Sequence, residues 1–244
     1  MAVHPYVPEP IGHGPVLGVL AGGEIELIGR IEPSSNLALL VEVSCAEGTA
    51  AAVYKPEAGE RPLRDFAPGL HRRERAAFVL SDWLGWDLVP PTVVRPDAPF
   101  GIGSVQLYVD ADPDEHYFTL YRRSPEIVPR LQALAVFDLV ANNADRKSGH
   151  VLLGTDGRVQ AIDNGLCFAV DFTLRTVIWD FAGEPIPEEL LGDVAPLASA
   201  VPVRLASLLE PDEVLALQVR VRRLLATGSF PEDRTGRRVP WPLV

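Results

Sequence analysis

The chain has 244 residues, of which 33 are acidic and 22 basic, so its formal charge at neutral pH is −11. Apolar residues make up 47% of the sequence, enough for a core, and this length suits one large domain or two small lobes around a cleft. The acidity argues against a nucleic-acid partner and against stable membrane association, because both need a basic surface. No stretch resembles a signal peptide or a membrane span, and we expect a cytoplasmic protein.

The N-terminal part of the chain has mainly strand-like patterns. We expect residues 1–15 to form a loosely docked arm. Short apolar or alternating runs then predict strands at residues 16–20, 24–31, 37–43, 49–55, 89–95 and 103–109. Residues 70–84 carry apolar side chains on one face and charges on the other, which predicts a helix. An acidic, proline-containing run at residues 110–115 is the predicted linker between two lobes.

The periodicity after this linker becomes helical. Residues 126–142 and 211–226 are predicted helices, and the second has Pro211 at its start and Gly228 past its end. Between them, two short apolar runs flank a Gly-Thr-Asp-Gly turn, which predicts a β-hairpin over residues 151–162. The pattern as a whole favours an α+β protein with a β-rich lobe at 16–110 and a mainly helical lobe at 111–244.

Several charged and metal-ligating residue types lack an informative spacing. Cys45 and Cys167 form neither a disulfide framework nor a metal site pattern. His4, His13, His71 and His116 are scattered, and we expect them on the surface. The C-terminal arginines are Arg220, Arg222, Arg223, Arg234, Arg237 and Arg238, and the acids among them are Glu210, Asp212, Glu213, Glu232 and Asp233. This mixture predicts a solvated helix face, with a docking patch as the alternative.

Only two of the basic residues are lysines, Lys55 and Lys147, and the other 20 are arginines. Such a bias indicates that arginine is used wherever either cation serves, so a retained lysine suggests a position that needs a compact ammonium. Lys55 ends a predicted strand and Glu74 lies on the following helix. A strand lysine held by a helix glutamate is a device for contacting phosphates, although Glu60 and Asp65 are other acids of the same region.

Two aspartates bracket the predicted hairpin. Asp145 precedes it, and Asp163 follows its second strand directly. Because a hairpin brings its ends together, we expect the two carboxylates to be neighbours, although each could instead cap a turn. In a phosphoryl-transfer site, one carboxylate orients or deprotonates the acceptor hydroxyl and the other holds the Mg²⁺ that bridges the nucleotide phosphates. Gly165 is expected to let the backbone turn sharply after the metal ligand.

A small polar loop lies between two predicted strands upstream of Lys55. Ser34, Ser35 and Asn36 can present backbone N–H groups and side-chain donors to phosphate oxygens. The sequence contains neither a Walker A pattern nor a full G-x-G-x-x-G pattern, so an ordinary hairpin loop is the alternative.

These residues, in this order, resemble the catalytic domain of the phosphatidylinositol 3-/4-kinase-like group, and more narrowly a small actinobacterial family associated with that group. The match is carried by Tyr54-Lys55-Pro56, Ala144-Asp145-Arg146-Lys147, Ala161-Ile162-Asp163-Asn164-Gly165 and Phe181-Ala182-Gly183-Glu184-Pro185. The resemblance implies a bilobal protein-kinase-like fold, with a β-rich N-lobe and a mainly helical C-lobe that carries a catalytic β-hairpin.

The same resemblance implies a role for each matching residue. Lys55 would contact the α- and β-phosphates of ATP, steadied by Glu74. Asp145 would face the acceptor hydroxyl, Lys147 would meet the γ-phosphate, and Asp163 would ligate the metal. The adenine pocket would be lined by Gln106, Leu107, Tyr108 and Val109, and residues 168–184 would take the place of an activation segment.

One position departs from the pattern of such kinases. They have an asparagine five positions after the catalytic aspartate as a second metal ligand, and this chain has His150. Imidazole suits Mn²⁺ better than Mg²⁺, so the expected cofactors are ATP with Mg²⁺ or Mn²⁺, held by Asp163 and His150.

The main hypothesis is therefore ATP-dependent transfer of the γ-phosphoryl group to a hydroxyl. Because the net charge disfavours a lipid surface, we expect the acceptor on a soluble small molecule or a protein. The alternatives are a catalytically weak or inactive nucleotide-binding module, favoured by His150, and transfer of AMP rather than phosphate.

Overall fold

The computed structural model of the protein describes residues 13–32, 36–123 and 125–243. The first elements in chain order are α1 (Gly14–Gly22), β1 (Glu24–Arg30), β2 (Leu39–Cys45), β3 (Gly48–Pro56), α2 (Leu70–Trp83), β4 (Thr92–Arg95) and β5 (Gly103–Leu107). They are followed by α3 (Tyr117–Arg123), α4 (Val128–Ala141), β6 (Val151–Leu153), β7 (Val159–Ala161), α5 (Glu188–Val194), α6 (Val203–Ala206) and α7 (Pro211–Thr227).

The first five strands form one antiparallel sheet in the order β1-β2-β3-β5-β4. Successive side chains of a strand point to opposite faces, and on β3 Ala52 and Tyr54 are buried in a small core under α1. Lys55 therefore points to the other face, which is turned towards the helical lobe. The paired position on β5 is Ser104.

The strand predicted at residues 16–20 is wrong, because these residues lie in α1. Five consecutive apolar residues fit a buried strand or a helix equally well, and periodicity cannot separate the two. Pro15 occupies the first turn, where its missing N–H costs no hydrogen bond, and Val19 and Leu20 are buried against the sheet. Since α1 begins at Gly14, the arm predicted for residues 1–15 does not extend to residue 15; residues 1–12 lie outside the described part of the chain.

The predicted helix at 70–84 forms as α2, and it packs on both lobes. Its buried residues Ala77 and Leu80 belong to the same large core as Leu134 and Phe137 of α4. On the sheet side, the guanidinium of Arg75 donates a hydrogen bond to the carbonyl of Thr92 at the start of β4. This double packing fixes α2, and with it Glu74, between the sheet and the helical lobe.

The surface position expected for the histidines is wrong for His71, which is only 4% exposed on the first turn of α2. Its Nδ1 lies 3.4 Å from Glu57 Oε2, and burial lowers the pKa of the imidazole. His13 and His116 are half-buried, and His4 lies outside the described residues. Within residues 13–243 as described, none of the helices has the length and apolar character that crossing a membrane requires.

Candidate functional site

Three residues far apart in the sequence meet at the cleft face of the sheet. The Nζ of Lys55, near the end of β3, donates to Glu74 Oε1 at 2.6 Å and to Asp163 Oδ1 at 2.8 Å. Glu74 lies on α2, and Asp163 follows β7 after one intervening residue. The structure thus brings together the lysine, the helix glutamate and the aspartate that the sequence singled out, as one ion-paired cluster.

Glu74, rather than Glu60 or Asp65, is the partner of Lys55. Its carboxylate is buried, and its second oxygen accepts the backbone N–H of Asn164 at 3.0 Å. Glu60 has a different task, because its two oxygens accept the N–H groups of Gly69 and Leu70 and so cap the start of α2. Glu74 therefore holds both Lys55 and the backbone beside Asp163.

The turn after β7 is made by Asp163 itself and not by the glycine two positions later. Asp163 has φ = 56°, in the left-handed region, whereas Gly165 does not have a positive φ. Aspartate is among the few residues that adopt this region at modest cost. The expectation that Gly165 supplies the turn is therefore corrected: the left-handed backbone directs the carboxylate of residue 163 to Lys55.

The loop between α4 and β6 adds three side chains to the cluster. Lys147 Nζ lies 3.2 Å from Asp145 Oδ2, and His150 Nε2 lies 3.4 Å from Asp163 Oδ2. A cavity of about 130 Å³ is lined by both aspartates together with Lys55 and Glu74. The two carboxylates predicted to be neighbours thus share one concavity.

The fully buried Arg146, for which no role was expected, anchors this loop. Its guanidinium donates to Asp138 Oδ1 of α4 at 2.9 Å, to Asn164 Oδ1 at 2.6 Å and to the carbonyl of Ile162 at 2.8 Å. One side chain thereby fixes the loop of Asp145 relative to the segment of Asp163. Its place next to Asp145 in the Asp-Arg pair was the signal available in the sequence.

A second contact holds this loop from the C-terminal tail. The backbone N–H of Ser148 donates to the carbonyl of Leu243 at 2.8 Å, and Trp179 Nε1 and the N–H of Thr176 both donate to the carbonyl of Arg238. The tail therefore lies against the loop that carries Lys147 and against the segment that follows Asp163. Nothing in the sequence pattern indicated this contact.

The charges of the cluster shift the pKa values of Lys55 and Asp163 in opposite directions. Burial alone would lower the pKa of Lys55, but Asp163 and Glu74 outweigh it and hold the pKa above its ordinary value. The Lys55 ammonium in turn keeps the pKa of Asp163 well below its usual range. Burial lowers the pKa of His150 to about 4, so its imidazole is neutral at pH 7. The site therefore presents an ammonium and an ionised carboxylate side by side.

The residues expected around the nucleotide fall into separate groups. Asn36 lines the cavity beside Lys55 and accepts the backbone N–H of Arg61 at 3.0 Å, whereas Ser34 and Ser35 lie outside the described residues. Gln106 is buried and donates to Thr92 Oγ1 at 2.8 Å.

The structure does not bring the other three expected adenine-pocket residues into the Lys55 cavity. Leu107, Tyr108 and Val109 line a cavity of about 630 Å³ together with Pro90 and Asp110. The role of these residues, like that of Gln106, in an adenine pocket stays a prediction.

The chain has a protein-kinase-like fold, as predicted. Its features are a sheet lobe joined to a helical lobe, a strand lysine paired with a helix glutamate, and a β-hairpin between two aspartates. The solved structure of the Helicobacter pylori proinflammatory kinase CtkA shares this fold. It superimposes with a TM-score of 0.52 at 11% sequence identity, covering 86% of this chain and 94% of that one.

Comparison with curated proteins shows the family. Protein Rv2133c of Mycobacterium tuberculosis is 40% identical over 261 aligned positions, which cover 92% of this chain and 94% of the mycobacterial protein. The chain belongs to the family of that protein. Phosphatidylinositol 4-kinase gamma 4 of Oryza sativa subsp. japonica is 26% identical over 73% of this chain, which corresponds to 35% of the rice protein. No family model matches the sequence.

Proposed function

We propose that this chain is an ATP-dependent phosphotransferase that moves the γ-phosphoryl group of ATP to a hydroxyl of a soluble small molecule or a protein. The bond between the γ-phosphorus and the bridging oxygen of ADP breaks, and a bond forms between that phosphorus and the acceptor oxygen. The observation that carries the proposal is the Lys55 ammonium, held 2.6 Å from Glu74 and 2.8 Å from Asp163 at the cleft between the lobes.

The cluster supplies a group for each need of the reaction. Lys55 would bind the α- and β-phosphates and Lys147 the γ-phosphate, because ammonium groups stabilise the charge that shifts between these oxygens. Asp145 would orient the acceptor hydroxyl and take its proton. The 3.2 Å contact between Lys147 and Asp145 supports this assignment, because the proposed γ-phosphate ligand then lies beside the proposed base.

The donor set fits a divalent cation carried by the nucleotide. Among the described residues, no three His, Cys, Asp or Glu side chains form a ready metal cluster, and Mg²⁺ typically uses one or two carboxylates plus substrate phosphates. Asp163 is half-exposed and ionised, and would be the carboxylate ligand; the neutral His150 beside it suits Mn²⁺. The bound cation would neutralise charge on the phosphates.

The relatives add indirect support. The rice relative is named a phosphatidylinositol 4-kinase and the structural neighbour a kinase, so both names agree with phosphoryl transfer. The net charge of −11 favours a soluble acceptor over an anionic lipid surface.

The test combines phosphoryl transfer from γ-labelled ATP with nucleotide-induced changes in melting temperature, in Mg²⁺ and in Mn²⁺. We expect metal-dependent ATP turnover or autophosphorylation, reduced about a hundredfold or more by Asp163→Asn and by Lys55→Met. Asp212→Asn is the matched control, because Asp212 is exposed in the first turn of α7 and lines neither of the two cavities described above. Equal turnover in the parent and both site variants would reject the proposal.

Two other outcomes identify the alternatives. A metal-dependent rise in melting temperature with ATP but no turnover would indicate a nucleotide-binding module, since ligand binding to the native state stabilises it without chemistry. Incorporation of label from the α position of ATP instead of the γ position would indicate AMP transfer.

A further inference from the structure

A second concavity lies on the helical lobe and is lined by residues other than those of the Lys55 cluster. It has a volume of about 470 Å³ and lies between α7, the segment after β7, and the C-terminal tail. We call it the arginine groove and define it by Val170, Phe172, Val219, Arg220, Arg223 and Arg238.

The apolar side chains of the arginine groove are unusually open to solvent. Val170, Phe172 and Val219 are 52%, 44% and 56% exposed, although they lie together in one concavity. Single exposed apolar residues are ordinary, whereas a grouped set bordered by charges is typical of a surface that a binding partner covers.

The arginines of the groove carry charge that the described residues do not neutralise by an ion pair. In the described part of the chain, Arg220, Arg223 and Arg238 form no ion pair with a carboxylate. The nearby glutamates are engaged elsewhere: Glu210 pairs with Arg72, Glu213 with Arg73 and Glu232 with Arg234. Asp233 accepts the backbone N–H of Arg238 and partly offsets the charge of its side chain, so the local positive charge is carried mainly by Arg220 and Arg223, on a protein whose net charge is −11.

Two of these guanidinium groups are held in place. Arg220 donates to the carbonyls of Val140 and Ala169 at 3.0 and 3.1 Å, and its Nη2 is buried without a partner among the described residues. The Arg238 guanidinium lies 4.9 Å from the centre of the Phe172 ring. Fixed guanidinium groups lose little freedom on binding, and their planar geometry suits carboxylates.

We propose that the arginine groove binds a peptide segment in which carboxylates flank apolar side chains, and that this segment belongs to the protein substrate. The substrate part of the proposal rests on the proposed phosphotransferase activity. Apolar side chains of the segment would pack against the walls formed by Val170, Phe172 and Val219, and its carboxylates would meet the arginines. An anionic membrane surface suits the groove less, because it would face the charge of the whole acidic protein.

The chain connects this groove to the candidate active site. Asn142 at the end of α4 donates to the carbonyls of Ala169 and Asp171 and accepts the N–H of Thr173 at 3.0 Å. A little further along the same segment, Arg175 Nε donates to the carbonyl of Ala144 at 2.8 Å, directly before Asp145. A peptide held in the groove would contact Val170 and Phe172, which belong to the same segment that is hydrogen-bonded next to the proposed base.

The test measures binding without nucleotide, by fluorescence anisotropy. The probes are fluorescein-labelled short peptides in which glutamates flank a Leu-Phe pair, compared with peptides in which serines replace that pair or lysines replace the glutamates. We expect only the first kind to bind, and each of Arg223→Glu and Arg238→Glu to weaken binding about tenfold or more. Arg237→Glu is the matched control, because Arg237 is exposed nearby but does not line the groove.

The outcomes distinguish binding in the groove from general electrostatic attraction and from attachment to a membrane. The proposal would be overturned if Arg237→Glu weakened peptide binding as much as the two groove variants, or if the serine peptide bound as tightly as the Leu-Phe peptide. Either result would indicate general electrostatic attraction. Binding to phosphatidylglycerol vesicles but to none of the peptides would overturn it in favour of a membrane surface. If the parent protein binds the peptide but turns over no ATP, both the substrate role of the peptide and the proposed function are rejected. If it turns over ATP but does not bind the peptide, only the proposed role of the groove is rejected.

Discussion

Asp145 and Lys147 face each other across 3.2 Å, and the Lys147 ammonium affects the pKa of the Asp145 carboxyl. Burial raises the pKa of Asp145, and the Lys147 ammonium opposes that rise without cancelling it. If Asp145 takes the acceptor proton, activity is present above its raised pKa and is lost as the pH falls through it. The acid limb of the pH–rate profile should therefore lie above the value of about 3.9 of an ordinary aspartate.

Replacing the lysine should move that limb. In Lys147→Met the carboxylate keeps its burial but loses the ammonium, so we expect the acid limb to move to higher pH, in addition to a fall in kcat. Initial rates with γ-labelled ATP, measured across a pH series, give the pH of the acid limb separately from the maximal rate. Lys147→Arg keeps the charge and should leave the limb near its original position. A limb at the same pH in Lys147→Met and in the parent would contradict the role given to Asp145.

The loop that carries these two residues is attached to α4 by one buried ion pair. Arg146 and Asp138 are both buried, and their atoms approach to 2.9 Å. Removing one partner of such a pair leaves an uncompensated charge in the interior, which typically costs about 3–5 kcal/mol. We therefore expect Arg146→Met to lower the free energy of unfolding by about that amount in a urea titration.

An exposed arginine of the same hairpin region provides the comparison. Arg158 pairs with Asp87 at 2.8 Å and with Asp156 at 2.7 Å, but its side chain is half-exposed. Exposed pairs contribute about 0–1 kcal/mol, so Arg158→Met should change stability by less than about 1 kcal/mol. Similar losses in the two variants would mean that Arg146 does not anchor the loop in the way described.

The helices and strands that the sequence predicts correctly are those with a distinctive pattern within their own residues. The β6–β7 hairpin follows from a Gly-containing turn between two short apolar runs, and α7 follows from its proline start and glycine end. By contrast, α1 has no distinguishing period, because five apolar residues in succession suit a strand as well as a helix. Only the sheet face that α1 covers decides its conformation, and that is tertiary information.

The candidate site likewise contains some residues that the sequence identifies and others that only the tertiary structure identifies. Lys55 could be identified because lysine is scarce in this chain, and Asp163 because it follows a predicted hairpin. Both signals can be read from the sequence itself. The sequence also singled out Glu74, but only the packing of α2 between the lobes excludes Glu60 as the partner of Lys55. Arg146 was missed because its place beside Asp145 in the sequence does not show that its side chain turns inward to Asp138 rather than outward to solvent.

At the scale of the whole molecule, the two lobes are joined through α2 and the segment after Asp163. The Arg73 side chain of α2 donates to the carbonyl of Cys167 at 2.6 Å and pairs with Glu213 of α7. Cys167 itself is fully buried in the large core. Its thiol therefore becomes accessible only when this core unfolds, and Cys167 lies shortly after Asp163 in the sequence.

Burial also raises the pKa of the Cys167 thiol, so the reactive thiolate is scarce as long as the protein stays folded. In a Cys45→Ser background, which removes the half-buried second cysteine, we expect Ellman's reagent to label Cys167 only through unfolded molecules. ATP with Mg²⁺ or Mn²⁺ should then slow labelling, by about a hundredfold at a nucleotide concentration of about 100 Kd, because bound nucleotide stabilises the native state. AMP without metal is the control and should slow it little. Rapid labelling in native buffer would contradict the burial of Cys167, whereas slow labelling that ATP leaves unchanged would contradict nucleotide binding.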